Sequence, residues 1–198
     1  MDRAAADPVN ARIAARVRAL RLRGGLSLES LAAACGVSRS ALSLIERAES
    51  SPTAVVLDRI AAGLGVPLGS LFGSPPDEMA ARPLARHGDQ PVWRDPSSGY
   101  LRRSVSPGDE ASPIQIVEVT FPAGGQVAFE TGQRDRIIHQ QLWVLEGRID
   151  FTIGSETHRL QTGDCLASRL DQPTMFHNPT TRAARYAVVM VAEPISRR

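Results

Sequence analysis

The sequence predicts a multidomain α + β fold: a helical bundle at the N-terminal end, then an antiparallel β sandwich or barrel. Three observations lead there. Apolar residues recur at helical spacing up to about Phe72. Residues 73–83, GSPPDEMAARP, then place three prolines and a glycine where neither helix nor strand continues. Beyond that break the pattern changes to period two, in short runs separated by turn residues. A chain of 198 residues has room for one or two domains, and the expected division is a helical domain over 8–73, a linker over 74–83 and a β domain over 84–198.

Residues 26–52, LSLESLAAACGVSRSALSLIERAESSP, say most about the helical half. Ser27 is a good N-cap, with Ser30 three residues on and Leu28, Leu31 and Ala32 at helical spacing. Gly36 stands where that helix must stop and the chain must turn sharply, and Val37 is the apolar plug of the turn. Ser38 caps a second helix whose buried stripe is Leu42 and Ile45, leaving Arg39, Ser40 and Ser43 on the other side. Two helices joined by a short Gly-containing turn make a helix-turn-helix unit. A generic bundle that uses the turn only for packing is the alternative.

The stretch resembles the Cro/lambda-repressor-like (XRE) family of DNA-binding domains. The resemblance covers about residues 10–72 and includes GVSRSALSLIERAESSP, the basic helix before it and VVLDRIAAGLGVPLGSLF after it. It implies a compact bundle of five short helices whose third element reads double-stranded DNA. Arg39 and Ser40 then sit at the inserted end, with Arg39 suited to guanine O6 and N7. Ser43 lies one turn on, and Leu44 can touch a thymine methyl. Arg47, with Ser50 and Ser51 in the following loop, suits phosphate. Ser27 and Ser38, at the two helix starts, complete the expected DNA-binding set. Arg21 and Glu46 match a family pair that forms a structural salt bridge. For Arg12, Arg16, Arg18 and Arg23 a solvated helix face is the simpler expectation, because helical spacing spreads them around the cylinder.

Behind the break, strands are expected near 91–94, 100–105, 113–121, 126–130, 140–146, 148–153, 157–160, 165–169, 174–178 and 184–192. Many short strands with evenly spaced turns suggest a closed sandwich or barrel. Residues 141–170, QLWVLEGRIDFTIGSETHRLQTGDCLASRL, with 171–179, DQPTMFHNP, resemble the cupins, and the similarity runs from about 113 to 192. The Leu-Glu-Gly hairpin at 145–147 and the Thr-Gly-Asp turn at 162–164 carry it. It implies a double-stranded β-helix, the jelly roll.

Metal-binding cupins supply two histidines one residue apart, a glutamate, and a later histidine. Here the glutamate position is Gln140, and the paired-histidine positions are Gln133 and Asp135 or Arg134 and Arg136. The last histidine position is Thr174. An amide and a hydroxyl are poor substitutes for such ligands, so no metal and no other cofactor is expected, and no catalysis. His87, His139, His158 and His177 are expected to make ordinary hydrogen bonds. What stays is a barrel mouth with polar content: Gln133, Arg134, Asp135, Arg136, Gln140, Thr174 and Asn178, with Leu142 and Phe176 (or Val144 and Met175) as apolar wall. Arg134 or Arg136 could fork an anionic group; the alternative is an ion network with Asp135 and Glu130.

Composition agrees with these expectations. Hydrophobic content of 42% and a mean hydropathy of −0.14 are ordinary for a globular chain. No apolar run approaches a membrane span or a signal peptide, so a cytosolic location is expected. All 23 basic residues are Arg. Residues 1–75 hold nine Arg against six acids, net +3, and residues 76–198 hold fourteen against fifteen, net −1. That asymmetry suits one end meeting a polyanion. Cys35 and Cys165 have no spacing partner and are expected to be small buried residues. Together the two resemblances imply a transcription regulator. Its barrel binds a small-molecule effector and makes a homodimer through an outer sheet face, with Val117, Val119, Trp143 and Val189 as candidates, and its operator is near-palindromic. A cupin isomerase or dioxygenase with a DNA-binding anchor, and an antitoxin-like protein-binding regulator, are the alternatives.

Overall fold

The computed structural model describes residues 8–73, 83–107, 112–130 and 136–194. Most of the expected linker therefore lies outside the described residues. Helix α1 (Pro8–Arg23) opens on proline, whose missing N–H costs no helical bond at that position. It buries Ile13, Val17 and Leu20, and it closes where Leu26 N–H donates back to Arg21 O at 3.0 Å. Helix α2 (Leu28–Cys35) is capped by Ser27, whose Oγ accepts the Ser30 N–H. It ends at Gly36, whose φ of 63° is left-handed backbone that favours glycine. Helix α3 (Arg39–Glu46) is capped by Ser38, whose Oγ accepts the Ala41 N–H. The chain bends by 112° between α2 and α3, the range of a helix-turn-helix. Helix α4 (Ala54–Gly63) is capped by Thr53.

Five helices were the expectation; the described residues hold four α-helices. The fifth place is one turn of 3-10 helix, Leu68–Leu71. Gly65, Pro67, Gly69 and Gly73 crowd that stretch, so an α-helix has little to propagate it. The turn is also pressed on the barrel: a Cβ at Gly69 would collide with Gln115 Oε1.

All ten expected strands are present. A six-stranded sheet runs in the order β1 (Val92–Arg94), β2 (Leu101–Ser104), β3 (Ile114–Phe121), β10 (Ala184–Pro194), β5 (Arg136–Glu146), β8 (Cys165–Arg169). A four-stranded sheet runs β4 (Gln126–Phe129), β9 (Thr174–His177), β6 (Arg148–Ile153), β7 (Glu156–Gln161). Every paired neighbour is antiparallel. β5 begins four residues before the expected 140, because β10 pairs with it back to Arg136. Gly147 makes the β5–β6 hairpin at φ 82°, where a Cβ would stand 3.2 Å from Ala183 O. The two sheets close on Phe121, Ile138, Leu142, Val144, Ile149 and Phe151, each at most 2% exposed.

The helical bundle is packed on the barrel, and their buried side chains form one cluster. Asp95, 1% exposed in the β1–β2 turn, accepts the Ala54 N–H at 2.8 Å and so caps α4 from the other domain. Its second oxygen is held by Ser98 N–H and Oγ. Aromatic rings then run from the 3-10 turn into the barrel. Phe72 meets Trp93 at 5.6 Å, Trp93 meets Tyr100 at 5.9 Å, and Tyr100 stacks on Phe121 at 5.6 Å. At the rim Arg59 of α4 pairs with Glu130 at 2.9 Å. Several expectations change here. Cys35 is buried, but Cys165 is exposed on the outer side of β8. Val117 and Val119 face the core, leaving Trp143 and half-buried Val189 of the outer-face candidates. Arg16 is not solvated: it is 5% exposed and its Nε donates to Ser70 O at 3.0 Å. Among the described residues no single helix is long and apolar enough to cross a membrane.

Candidate nucleic-acid interface and ligand cavity

Helix α3 has one side committed to the bundle and one side free. Leu42 and Ile45 are buried at 0% and 4% exposure; Arg39, Ser40, Leu44 and Arg47 are exposed and Ser43 is half-buried. The C-terminal end is fixed by Arg21, whose Nε and Nη2 meet the Glu46 carboxylate at 2.7 and 2.8 Å. Its Nη1 donates to Leu26 O at 2.9 Å, so the guanidinium ties α1, α3 and the α1–α2 turn together. Hydrogen bonding to Glu46 raises the Arg21 pKa further, which keeps the guanidinium charged. Asn10 Nδ2 donates to Ser51 Oγ at 2.8 Å and pins the loop after α3 to α1.

The hydroxyls of this face are partly engaged in holding the helices. Ser27 Oγ shares a bond with Ser30 Oγ at 2.8 Å, and Ser38 Oγ with Ser40 Oγ at 3.1 Å. Arg47 donates to Ser43 Oγ at 2.8 Å and pairs with Glu49 at 2.9 Å. That pair is half-exposed, so water and salt weaken it and phosphate can displace it. Ser50 is half-buried in the loop. Arg39 stands exposed on the first turn of α3.

The barrel holds a half-open cavity of about 90 Å³ beneath the helical domain. Gln140, Thr174 and Phe176 line it, as the sequence suggested. So do Tyr100, Arg102 and Tyr186 from the six-stranded sheet, and Asp58, Pro67 and Leu68 from the helical side. Gln140 Nε2 donates to Ser168 Oγ at 3.0 Å. Burial pushes the Tyr100 and Tyr186 hydroxyls well above their ordinary range, so both stay neutral. Leu142 is buried in the intersheet packing and is not among the lining side chains. Asn178 is fully buried but serves a turn: Nδ2 donates to Phe121 O, Pro122 O and Arg182 O, and Oδ1 accepts from Thr180. Gln133, Arg134 and Asp135 lie outside the described residues. Arg136 opens β5.

The helix-turn-helix family HTH_3 matches residues 17–71. The HTH-type transcriptional regulator SutR of Escherichia coli is 31% identical over 162 residues, 82% of this chain and 84% of that one. The chain belongs to the HTH-type transcriptional regulators of the XRE kind. The regulator is also 27% identical to the E. coli HTH-type transcriptional regulator PuuR over 173 residues, 86% of this chain and 89% of that one. Among solved structures, an HTH_3 family transcriptional regulator from Vibrio cholerae superposes with a TM-score of 0.72 at 26% identity, over 92% of this chain and 96% of that one.

In this regulator the helix-turn-helix domain binds DNA and the second domain is the two-sheet antiparallel barrel. Gln140 and Thr174 stand at two ligand positions, and the Gln140 amide is turned to Ser168. Among the described residues no three His, Cys, Asp or Glu side chains gather at one point. The residues that sequence reasoning missed are Tyr100, Arg102 and Tyr186. Tyr100 and Arg102 alternate inward on one strand, but Arg103 follows at once, and period two alone does not say which arginine turns in.

Proposed function

We propose that the regulator acts as a homodimer on a near-palindromic operator, and that its barrel senses a small-molecule effector without catalysing a reaction. The exposed side of α3 is the observation that carries the DNA half. In this reading Arg39 and Ser40 meet base edges, Ser43 and Leu44 extend the contact, and Arg47, Ser50, Ser27 and Ser38 lie toward phosphate. Leu44 is 38% exposed on that side, an apolar group whose use is contact with a thymine methyl. The expected boundaries, a DNA-binding unit over 8–73 and a sensing and dimerising unit over 84–198, belong to the same proposal, as does a cytosolic location.

Dimerisation is supported by the outer side of β5 and β10. Trp143 is 50% exposed there and lies level with Ala187 and Cys165 on the flanking strands. A half-exposed tryptophan among small residues suits a self-complementary two-fold contact. Two heads about one DNA turn apart then follow. Effector binding is supported by the half-open, largely apolar cavity, which the helical domain itself helps to line. A ligand there changes operator affinity by preferring one docking of the heads.

Selection of bound sequences from random DNA tests the reading; a two-fold consensus is expected, and a flat result at moderate salt would sink it. Arg39→Ala should relax specificity at one base position for about 1–3 kcal/mol, while Arg47→Ala should weaken all sequences alike and flatten the salt dependence. Identical effects from the two would refute the assigned roles. Trp143→Glu should give a monomer by sedimentation.

A further inference from the structure

Arg102 lies at the seam between the barrel and the helical domain, lining both the barrel cavity and the groove outside it. Its side chain is buried at 6% exposure. Its guanidinium lies over the Phe72 ring, with Cζ 4.8 Å from the centroid. Nε and Nη2 are both buried and have no hydrogen-bond partner. These two nitrogens form the side-on fork that fits a carboxylate. Arg21 shows the same fork filled, by Glu46.

Among the described residues, the groups acting electrostatically on Arg102 are the Tyr100 and Tyr186 hydroxyls, and desolvation lowers its pKa. Asp58, which also lines the cavity, acts on Tyr100. A buried guanidinium without an anion is costly, and folded chains rarely keep one without a use. Most of the wall surface is apolar, from Val119, Phe121, Phe129, Ile138, Val188 and Met190, while Asp58, Glu130, Gln140, Gln172 and Thr174 complete the lining. One fork and an apolar wall suit a monoanion with a short hydrocarbon body. A phosphate dianion would need more donors than one fork.

We propose that the regulator binds a small organic carboxylate, gripped bidentately by Nε and Nη2 of Arg102, with its short apolar tail in the barrel cavity. This rests on the reading of the barrel as an effector site, and it names the effector's class. The site also has a route to the DNA-binding heads. Arg102 touches Phe72, which directly follows the 3-10 turn, and its Nη2 stands 3.1 Å from where a Gly69 Cβ would be. Filling the fork therefore acts on the segment that docks the helical domain.

The test uses the full chain, dialysed free of carboxylates. It is titrated calorimetrically with propionate, butyrate and valerate, with butyramide and butylamine as neutral and cationic counterparts. Saturable binding of at least one carboxylate is expected, with the amide and amine weaker by about tenfold or more. Arg102→Met should lose the binding, and Arg102→Lys, which keeps the charge but not the fork, should weaken it. In carboxylate-free buffer Arg102→Met should melt at or above the wild type, since it replaces an unpaired charge with an apolar chain. No carboxylate binding up to about 10 mM, or equal binding by both variants, overturns the proposal. Operator affinity separates the two readings. If butylamine or butyramide shifts it and carboxylates do not bind, the effector reading stands and the carboxylate assignment falls. If a carboxylate binds through Arg102 and operator affinity does not move, the site stands and the effector role falls.

Discussion

Arg21 in the helical domain and Arg102 in the barrel are both buried arginines, and they stand in opposite situations. Arg21 fills its donors with Glu46 and Leu26 O. Arg102 rests on a ring and leaves Nε and Nη2 without a partner. The difference teaches how a buried charge is to be read. Satisfied on every side, it is part of the scaffold and holds α1, α3 and the turn at fixed angles. Unanswered at the edge of a cavity, it is a candidate binding group. Arg21 is closed within the helical domain, as a fixed reading helix requires; Arg102 leaves two nitrogens open beside the segment that joins the two domains.

The largest expected effect breaks the closed case. Glu46→Ala strands Arg21 and should cost about 3–5 kcal/mol in urea denaturation of the full chain. Arg102→Met, by contrast, should leave stability unchanged or raise it. Equal losses from the two variants would erase the distinction. A smaller effect is expected at the seam. Asp95→Ala removes the acceptor of the buried Ala54 N–H and leaves the N-terminus of α4 without its cross-domain cap. A loss of about 1–3 kcal/mol should follow. If the barrel serves only as a separate body, Asp95→Ala should leave α4 and its hydrogen-exchange protection unchanged, and that outcome would refute the docking role given to Asp95.

Much of the scaffold was legible in the sequence because its signals are local. Ser27, Gly36 and Ser38 mark the helix ends by side-chain chemistry and backbone freedom, and each does so within three residues of its effect. The strands were legible from turn residues at regular intervals. The partnership of Arg21 and Glu46 was legible only through a family resemblance, since 25 residues separate them. The cavity was read in part. Gln140, Thr174 and Phe176 follow from strand parity, but Asn178 shares that parity and is used up by the turn at Thr180. Arg102 was not legible, because its meaning depends on Phe72 and Gly69 arriving from another domain. The fifth helix failed partly for a similar reason: the barrel surface, together with the glycines and Pro67 of that stretch, shapes Leu68–Leu71.

The smallest expected effect sharpens the picture of the helical domain as locally closed. Ala48 has a φ of 55°, a left-handed conformation in which its Cβ is strained. It is held there by the close of α3, where Ala48 N–H donates to Ile45 O at 3.0 Å and Glu49 N–H to Leu44 O at 2.9 Å. Glycine suits this position, as Gly36 does at the end of α2. Ala48→Gly removes the strain but also loosens the unfolded chain, so the net gain should be at most about 1 kcal/mol. A rise in melting temperature with unchanged operator affinity is the expected result, because Ala48 follows the end of α3 and carries no assigned DNA contact. A fall in stability would mean that the end of α3 is held by contacts other than its own backbone bonds, and that the DNA-reading helix is less self-contained than its caps imply.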